Sequence, residues 1–150
     1  MKIKIINISK IVSWNTDSNS LEIIENKDIL IESDKITEIS NDISSFDDVI
    51  DAKQSIITPG FIDCHTHPIF TSSRANEFNL RTSGHSYEEI ANQGGGINSS
   101  VSSLREKNEN DLYELCINRM DQFLFNGTTT LEAKSGYGLT LEDEIKSLRV

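Results

Sequence analysis

Apolar and polar positions alternate at the start of the chain. Ile3 and Ile5 alternate with Lys2 and Lys4, and apolar positions continue through Ile6, Ile8, Ile11 and Val12. Such alternation places one set of side chains on a buried face and the other in water, the pattern of a β-strand. Leu21–Ile24, Asp28–Glu32 and Ile36–Ile39 read as further short strands. Ser33-Asp34-Lys35 supplies a turn between the last two, so Ile29 to Ile39 reads as a hairpin. The polar run Asn15 to Ser20 supplies another turn, and a second polar run, Asn41 to Asp48, precedes Val49-Ile50-Asp51-Ala52. Short strands divided by polar turns predict a small sheet or sandwich over residues 1–58.

The pattern changes after Pro59-Gly60. Phe61 to His67 is a strand candidate, and the polar stretch from Ser72 to His85 reads as a long loop. Ser86 with Glu89 three residues later forms a capping box that opens a short helix through Gln93. Gly94-Gly95-Gly96 ends that helix. Asn108 and Asp111 cap the next one, which presents Leu112, Leu115, Cys116, Met120, Phe123 and Leu124 on one side before Asn126-Gly127 stops it. The β-branched run Thr128–Ala133 predicts a strand, and Thr140 with Asp143 opens a last helix with acids in its first turn. That helix reaches Val150 without a stop signal, which reads as a chain ending in mid-architecture. Strand, helices, strand, helix over residues 59–150 is the start of an α/β repeat with parallel strands.

Composition narrows the function classes. The chain has 150 residues, of which 36% are hydrophobic and 25% charged, and a net charge of −10. An acidic chain without a basic run repels nucleic acid and anionic membrane surfaces, so neither is expected as a partner. The N-terminus has no continuous apolar segment, because Asn7, Ser9 and Lys10 interrupt it. Cys64 and Cys116 show no disulfide or CxxC spacing, which fits reduced thiols in a cytoplasmic protein.

The sharpest chemical feature is Asp63-Cys64-His65-Thr66-His67. On a strand, His65 and His67 point to the same face and can share one metal ion. Neutral imidazole suits Zn, Fe and Ni. Asp63 points the same way and can orient a ligand through a hydrogen bond. Cys64 and Thr66 point to the other face, so Cys64 is expected to pack rather than ligate. The plain alternative is a pair of surface histidines two residues apart. His85 lies in a loop-like Ser-Gly-His-Ser context and reads as solvated. Two ligands do not complete a catalytic mononuclear site, which takes three or more protein ligands, so the others are expected outside these 150 residues. Gly94-Gly95-Gly96 lacks the Lys-Ser/Thr of a P-loop and the strand–GxGxxG–helix order of a dinucleotide fold. Glu132 and Lys134 alternate at a strand end and read either as pocket lining or, for one of them, as half of a buried pair with an unseen partner.

Pro59 to His67 resembles the amidohydrolase superfamily of metal-dependent barrel hydrolases. Within it, Ser73 to Phe78, Tyr87 to Ile90, Gln93 to Ile97 and Lys134 to Leu139 are similar to the imidazolonepropionase family. The resemblance runs from about residue 57 to 150. It implies that residues 1–58 belong to a small composite β-sandwich domain. Residues 59–150 would then be the first β/α units of a TIM-like (β/α)8 barrel; a closed barrel needs roughly 250 residues. It also implies that His65 and His67 are metal ligands for Zn or Fe, and that Arg74 and Tyr137 bind substrate. The implied reaction is hydrolysis of a C–N bond of 4-imidazolone-5-propanoate to N-formimidoyl-L-glutamate in histidine breakdown, by a cytoplasmic homodimer. Pro68 and Thr71-Ser72 depart from the Leu and the two glycines usual in the family. The acid–base residue has no counterpart among these residues, so the 150 residues alone are expected to be inactive. Another amidohydrolase, a deaminase or cyclic amidase, is the nearest alternative; a non-catalytic binding fragment is the other.

Overall fold

Isoleucine-rich strands build the first part of the protein, described here from a computed structural model covering residues 1–150. The strand β1 (Lys2–Ile6) runs through the middle of a four-stranded sheet with β4 (Asp28–Glu32), β5 (Lys35–Ser40) and β6 (Asp48–Asp51), in the order β5-β4-β1-β6. β4 pairs antiparallel with both β1 and β5, and β6 is parallel to β1. A three-stranded sheet joins β2 (Lys10–Asn15) to β3 (Ser20–Ile24) and β7 (Ile56–Ile57), in the order β3-β2-β7. β-branched side chains suit a pleated, half-buried surface. Ile8, Ile11 and Ile29 form a buried cluster, with Ile5, Ile24, Ile31, Ala52 and Ile57 packed against it. The polar run from Asn41 hides one apolar plug. Ile43 is buried, and its carbonyl accepts a 3.0 Å bond from Lys4 Nζ.

The second compact unit spans Gly60–Val150, the first Met1–Pro59. In the second, β8 (Phe61–Thr66) and β9 (Thr128–Ala133) pair in parallel. Four helices connect them: α1 (Ala75–Thr82), α2 (Tyr87–Asn92), α3 (Ile97–Glu106) and α4 (Glu109–Phe125). α5 (Leu141–Arg149) follows β9. Parallel neighbours need a long crossover, and helices are the usual way to make it. The three expected helix starts have the hydrogen bonds that make them. Ser86 and Glu89 exchange both bonds of the capping box, Asn108 accepts from the Asp111 amide, and Thr140 accepts from the Asp143 amide.

Two expectations are corrected. The stretch from Ser72 to His85 is not all loop, because α1 occupies its centre. None of its residues is buried and its N-cap Arg74 makes no side-chain cap bond, so neither periodicity nor a capping residue marks it. The triple glycine also does not lead straight to the Asn108 helix, because α3 intervenes with Ser100, Val101 and Leu104 buried. Four serines dilute its apolar face, but Ile97, Val101 and Leu104 hold the spacing of one helical stripe. On α4 the buried stripe is narrower than expected: Leu112 and Cys116 are buried, while Leu124 is 63% exposed. Ile69, Leu104, Leu112 and Cys116 make the core of this unit, with Met120, Tyr137 and Val150 packed against it. No helix is long and apolar enough to cross a membrane.

Candidate metal and substrate site

β8 ends at Thr66, so His65 lies on the strand and His67 immediately past its end. Their rings sit edge to face, with centroids 5.3 Å apart and planes at 88°. His65 is exposed at its side chain, and its Nδ1 lies 4.0 Å from Glu132 Oε2. His67 is half-buried, and its Nδ1 is buried without a hydrogen-bond partner. Gly136 presses on that ring: a Cβ there would come within 3.0 Å of Cε1 and 3.2 Å of Nδ1, and its φ of +149° also suits glycine alone. Two adjacent imidazoles, one with an unsatisfied buried nitrogen, fit the nitrogen part of a Zn or Fe donor set. No third His, Cys, Asp or Glu joins them in a group that can hold a metal ion.

The other members of the motif behave differently from expectation. Asp63 makes no hydrogen bond to an imidazole; its Oδ1 accepts from the backbone amide of His65 at 3.2 Å. It therefore steadies the strand end rather than a ring nitrogen. Cys64 is exposed, so it does not pack in a core within these residues. The register of β8 against β9 shifts between Asp63 and Thr66. His85 is exposed and pairs with Glu89 at 3.7 Å. Glu132 and Lys134 pair with each other at 3.6 Å, and both are about half exposed.

Two clefts border His67. The larger, of about 470 Å³, also takes in Asp63, Thr66, Phe70, Arg119 and Phe123. Arg119 stacks on Phe70 at 3.6 Å from the ring centroid and donates from Nη1 to the Pro68 carbonyl at 3.0 Å. Burial pushes its pKa down from the ordinary arginine value. The smaller cleft, of about 250 Å³, is lined by His67, Phe70, Ser72, Arg74, Ser100 and Tyr137, among others. It brings together three of the four residues singled out from the sequence; the fourth, His65, lies beside His67. Tyr137 stands with its ring centroid 5.7 Å from that of His67 and also packs on the Leu104 core.

Arg74 is not a free loop charge. Its Nε donates to Glu77 Oε2 at 2.8 Å, and its Nη2 reaches the same oxygen. Hydrogen bonding to Glu77 pushes the arginine pKa further up, and the same bond pulls the Glu77 carboxyl below the usual range. Sequence reasoning passed over Glu77 and over the Glu132 contact with His65. The first was visible as an i, i+3 charge pair on a helix, had α1 been recognised. The second depends on pairing between β8 and β9, which no local signal reveals.

Comparison with curated proteins finds an imidazolonepropionase from Aliivibrio fischeri (strain MJ11) 44% identical over 147 residues, covering 95% of this chain and 36% of the relative. Over its length the chain is similar to imidazolonepropionases. A second relative, from Photobacterium profundum, is 46% identical over 146 residues, covering 91% of the chain and 36% of its own length. A third, from Brevibacillus brevis, is 45% identical over 141 residues. The chain thus spans about a third of the length of the curated relatives it matches. No protein-family model matches it. Among solved structures, an amidohydrolase superposes over 91% of the chain and 26% of its own length, with a TM-score of 0.58 and 21% identity. A triazine hydrolase superposes over 99% and 33%, with a TM-score of 0.59 and 17% identity. The zinc complex of an atrazine chlorohydrolase from Arthrobacter aurescens superposes with a TM-score of 0.51 at 18% identity. These likenesses show an α/β fold shared with part of the amidohydrolases.

Proposed function

We propose that the chain supplies two metal ligands and the substrate-anchoring side chains of an imidazolonepropionase, a hydrolase of a cyclic-amide C–N bond. The observation that carries the reading is the cleft in which His67, Arg74 and Tyr137 meet. His65 and His67 would hold Zn or Fe; the zinc found in the atrazine chlorohydrolase makes Zn the first metal to test. The chemistry a bound ion supplies is Lewis acidity, which activates water near neutral pH and polarises a ring carbonyl. Arg74 would bind the propanoate carboxylate, since its guanidinium offers paired N–H donors that match a carboxylate. Tyr137 would fix the ring beside His67. Holding both ends of the substrate makes attack effectively unimolecular.

Residues 1–58 fit the small β-sandwich domain of such an enzyme, and residues 59–150 the first β/α units of its (β/α)8 barrel. In that setting His65 and His67 sit at the C-terminal end of a barrel strand, where barrel active sites are built. A cytoplasmic homodimer acting on a small molecule completes the reading. The 150 residues alone, with two ligands, would not turn over.

The test is ring opening of 4-imidazolone-5-propanoate by the intact metal-loaded enzyme, followed as formation of N-formimidoyl-L-glutamate. Arg74→Ala should raise KM with metal content unchanged. Activity confined to a purine or a dihydropyrimidine would assign the chain to a different amidohydrolase reaction, and an unchanged KM would remove Arg74 from the site.

A further inference from the structure

The Gly94-Gly95-Gly96 run has no part in the site as described so far, yet it touches it through one side chain. Gly96 N donates to Glu77 Oε1 at 2.9 Å. A Cβ on Gly95 would come within 2.8 Å of Ile90 Cγ2, 2.9 Å of the Ile90 carbonyl oxygen and 3.1 Å of Glu77 Oε1. The turn therefore needs glycine to bring its backbone this close to the Glu77 carboxylate. The other carboxylate oxygen, Oε2, takes both Nε and Nη2 of Arg74. Glu77 is mostly buried, at 16% side-chain exposure, while Arg74 is 42% exposed.

The geometry at the guanidinium is specific. An arginine presents five N–H donors, and its Nε–Nη2 edge and Nη1–Nη2 edge can each meet a carboxylate. Here the first edge is taken by Glu77. Nη1 has no partner, and Arg74 lines the cleft with His67 and Tyr137. We propose that Glu77 is the positioning residue for Arg74: fastened to the triple-glycine turn, it holds the Nε–Nη2 edge and leaves the Nη1–Nη2 edge to receive the substrate carboxylate. The proposal rests on the reading of Arg74 as the carboxylate-binding group. It gives the glycine run a role in substrate orientation, two elements away from the metal ligands.

An unfastened arginine must be immobilised when the ligand arrives, which for one long side chain lowers affinity by about three- to tenfold. A pure charge effect has the opposite sign, because removing Glu77 takes a negative charge away from an anion site. The two are separated by calorimetric titration of the intact zinc-loaded enzyme with 3-(imidazol-4-yl)propanoate and with its primary amide. The unsubstituted enzyme should prefer the acid, and Arg74→Ala should abolish that preference. Glu77→Ala should weaken binding of the acid about three- to tenfold and leave the amide unchanged, raising KM for substrate with little change in kcat. Glu77→Gln, which keeps an acceptor for Arg74 but opposes an amide NH2 to the Gly96 N–H, should fall between. Should the alanine variant fail to fold, the isosteric glutamine variant decides by the same acid-to-amide ratio. An acid affinity unchanged or tightened on losing Glu77, with the Arg74→Ala effect intact, overturns the positioning role alone. Equal binding of acid and amide by the unsubstituted enzyme overturns the carboxylate reading of Arg74 and the role of Glu77 with it.

Discussion

Glu144 clamps the segment that carries Tyr137, and its replacement by glutamine gives a measurable account of that clamp. Glu144 lies in the first turn of α5, and its Oε1 accepts from the amides of Gly138 and Leu139 at 2.8 and 2.7 Å. Burial pushes the carboxyl pKa up. The Ser135 hydroxyl and the Leu139, Gly138 and Gly136 amides more than offset this, so the pKa is lowered from 4.5. A hydrogen bond to a charged group contributes about 1.5–3 kcal/mol against about 0.5–1.5 for a neutral one. Glu144→Gln keeps the shape and loses the charge on two such bonds, so the segment should be destabilised by about 1–3 kcal/mol. Hydrogen exchange of the Gly138 and Leu139 amides should then speed up by roughly five- to 150-fold. The sign with pH follows from the depressed pKa. The stabilisation is fully present above the unfolded value and is lost as pH falls through the folded one. Protection of these two amides in the unsubstituted protein should therefore fall below about pH 4.5, and the glutamine variant should not show that fall. Unchanged exchange at Gly138 and Leu139 in the variant would refute the clamp.

Two further substitutions probe the frame around the site. Leu104 is fully buried between α4 and Ile69, so Leu104→Ala should cost about 2–5 kcal/mol, read as a lower urea midpoint at unchanged m. Gly136→Ala sets a methyl group against the His67 ring. Zinc stoichiometry by elemental analysis should fall while far-ultraviolet circular dichroism is retained, and full zinc occupancy would show that the ring can move aside.

The clamp, the Arg74 anchor and the His67 contact share one design. Each of these cleft side chains is held from another part of the fold: Arg74 through Glu77 by the turn before α3, Tyr137 by the Leu104 core and the Glu144 clamp, His67 by the Gly136 backbone. Side chains fixed in this way need little reorganisation when a ligand arrives, which is what orientation of a reacting ring requires.

The sequence by itself determined what depends on neighbours a few residues apart. The Ile3–Ile5 alternation, the capping box at Ser86 and Glu89, the Asn108 and Thr140 caps and the glycine after Asn126 each act within one turn or one strand, so local chemistry settles them. The His65-x-His67 spacing is local too, and so is the pairing of the two rings. Helices α1 and α3 were illegible for the converse reason: the first buries no apolar side chain, and the second spreads a short apolar stripe among serines. The hydrogen-bond partner of Asp63 and the exposure of Cys64 were not legible either, because they depend on contacts made by β8 with the rest of the fold. Only the tertiary structure decided that His67, Arg74 and Tyr137 share a cleft, and that Glu77 and Gly96 stand behind the arginine. Those contacts come from the packing of the helices on Leu104 and Leu112 and from the parallel pairing of β8 with β9, interactions between distant parts of the chain that local sequence preference does not encode.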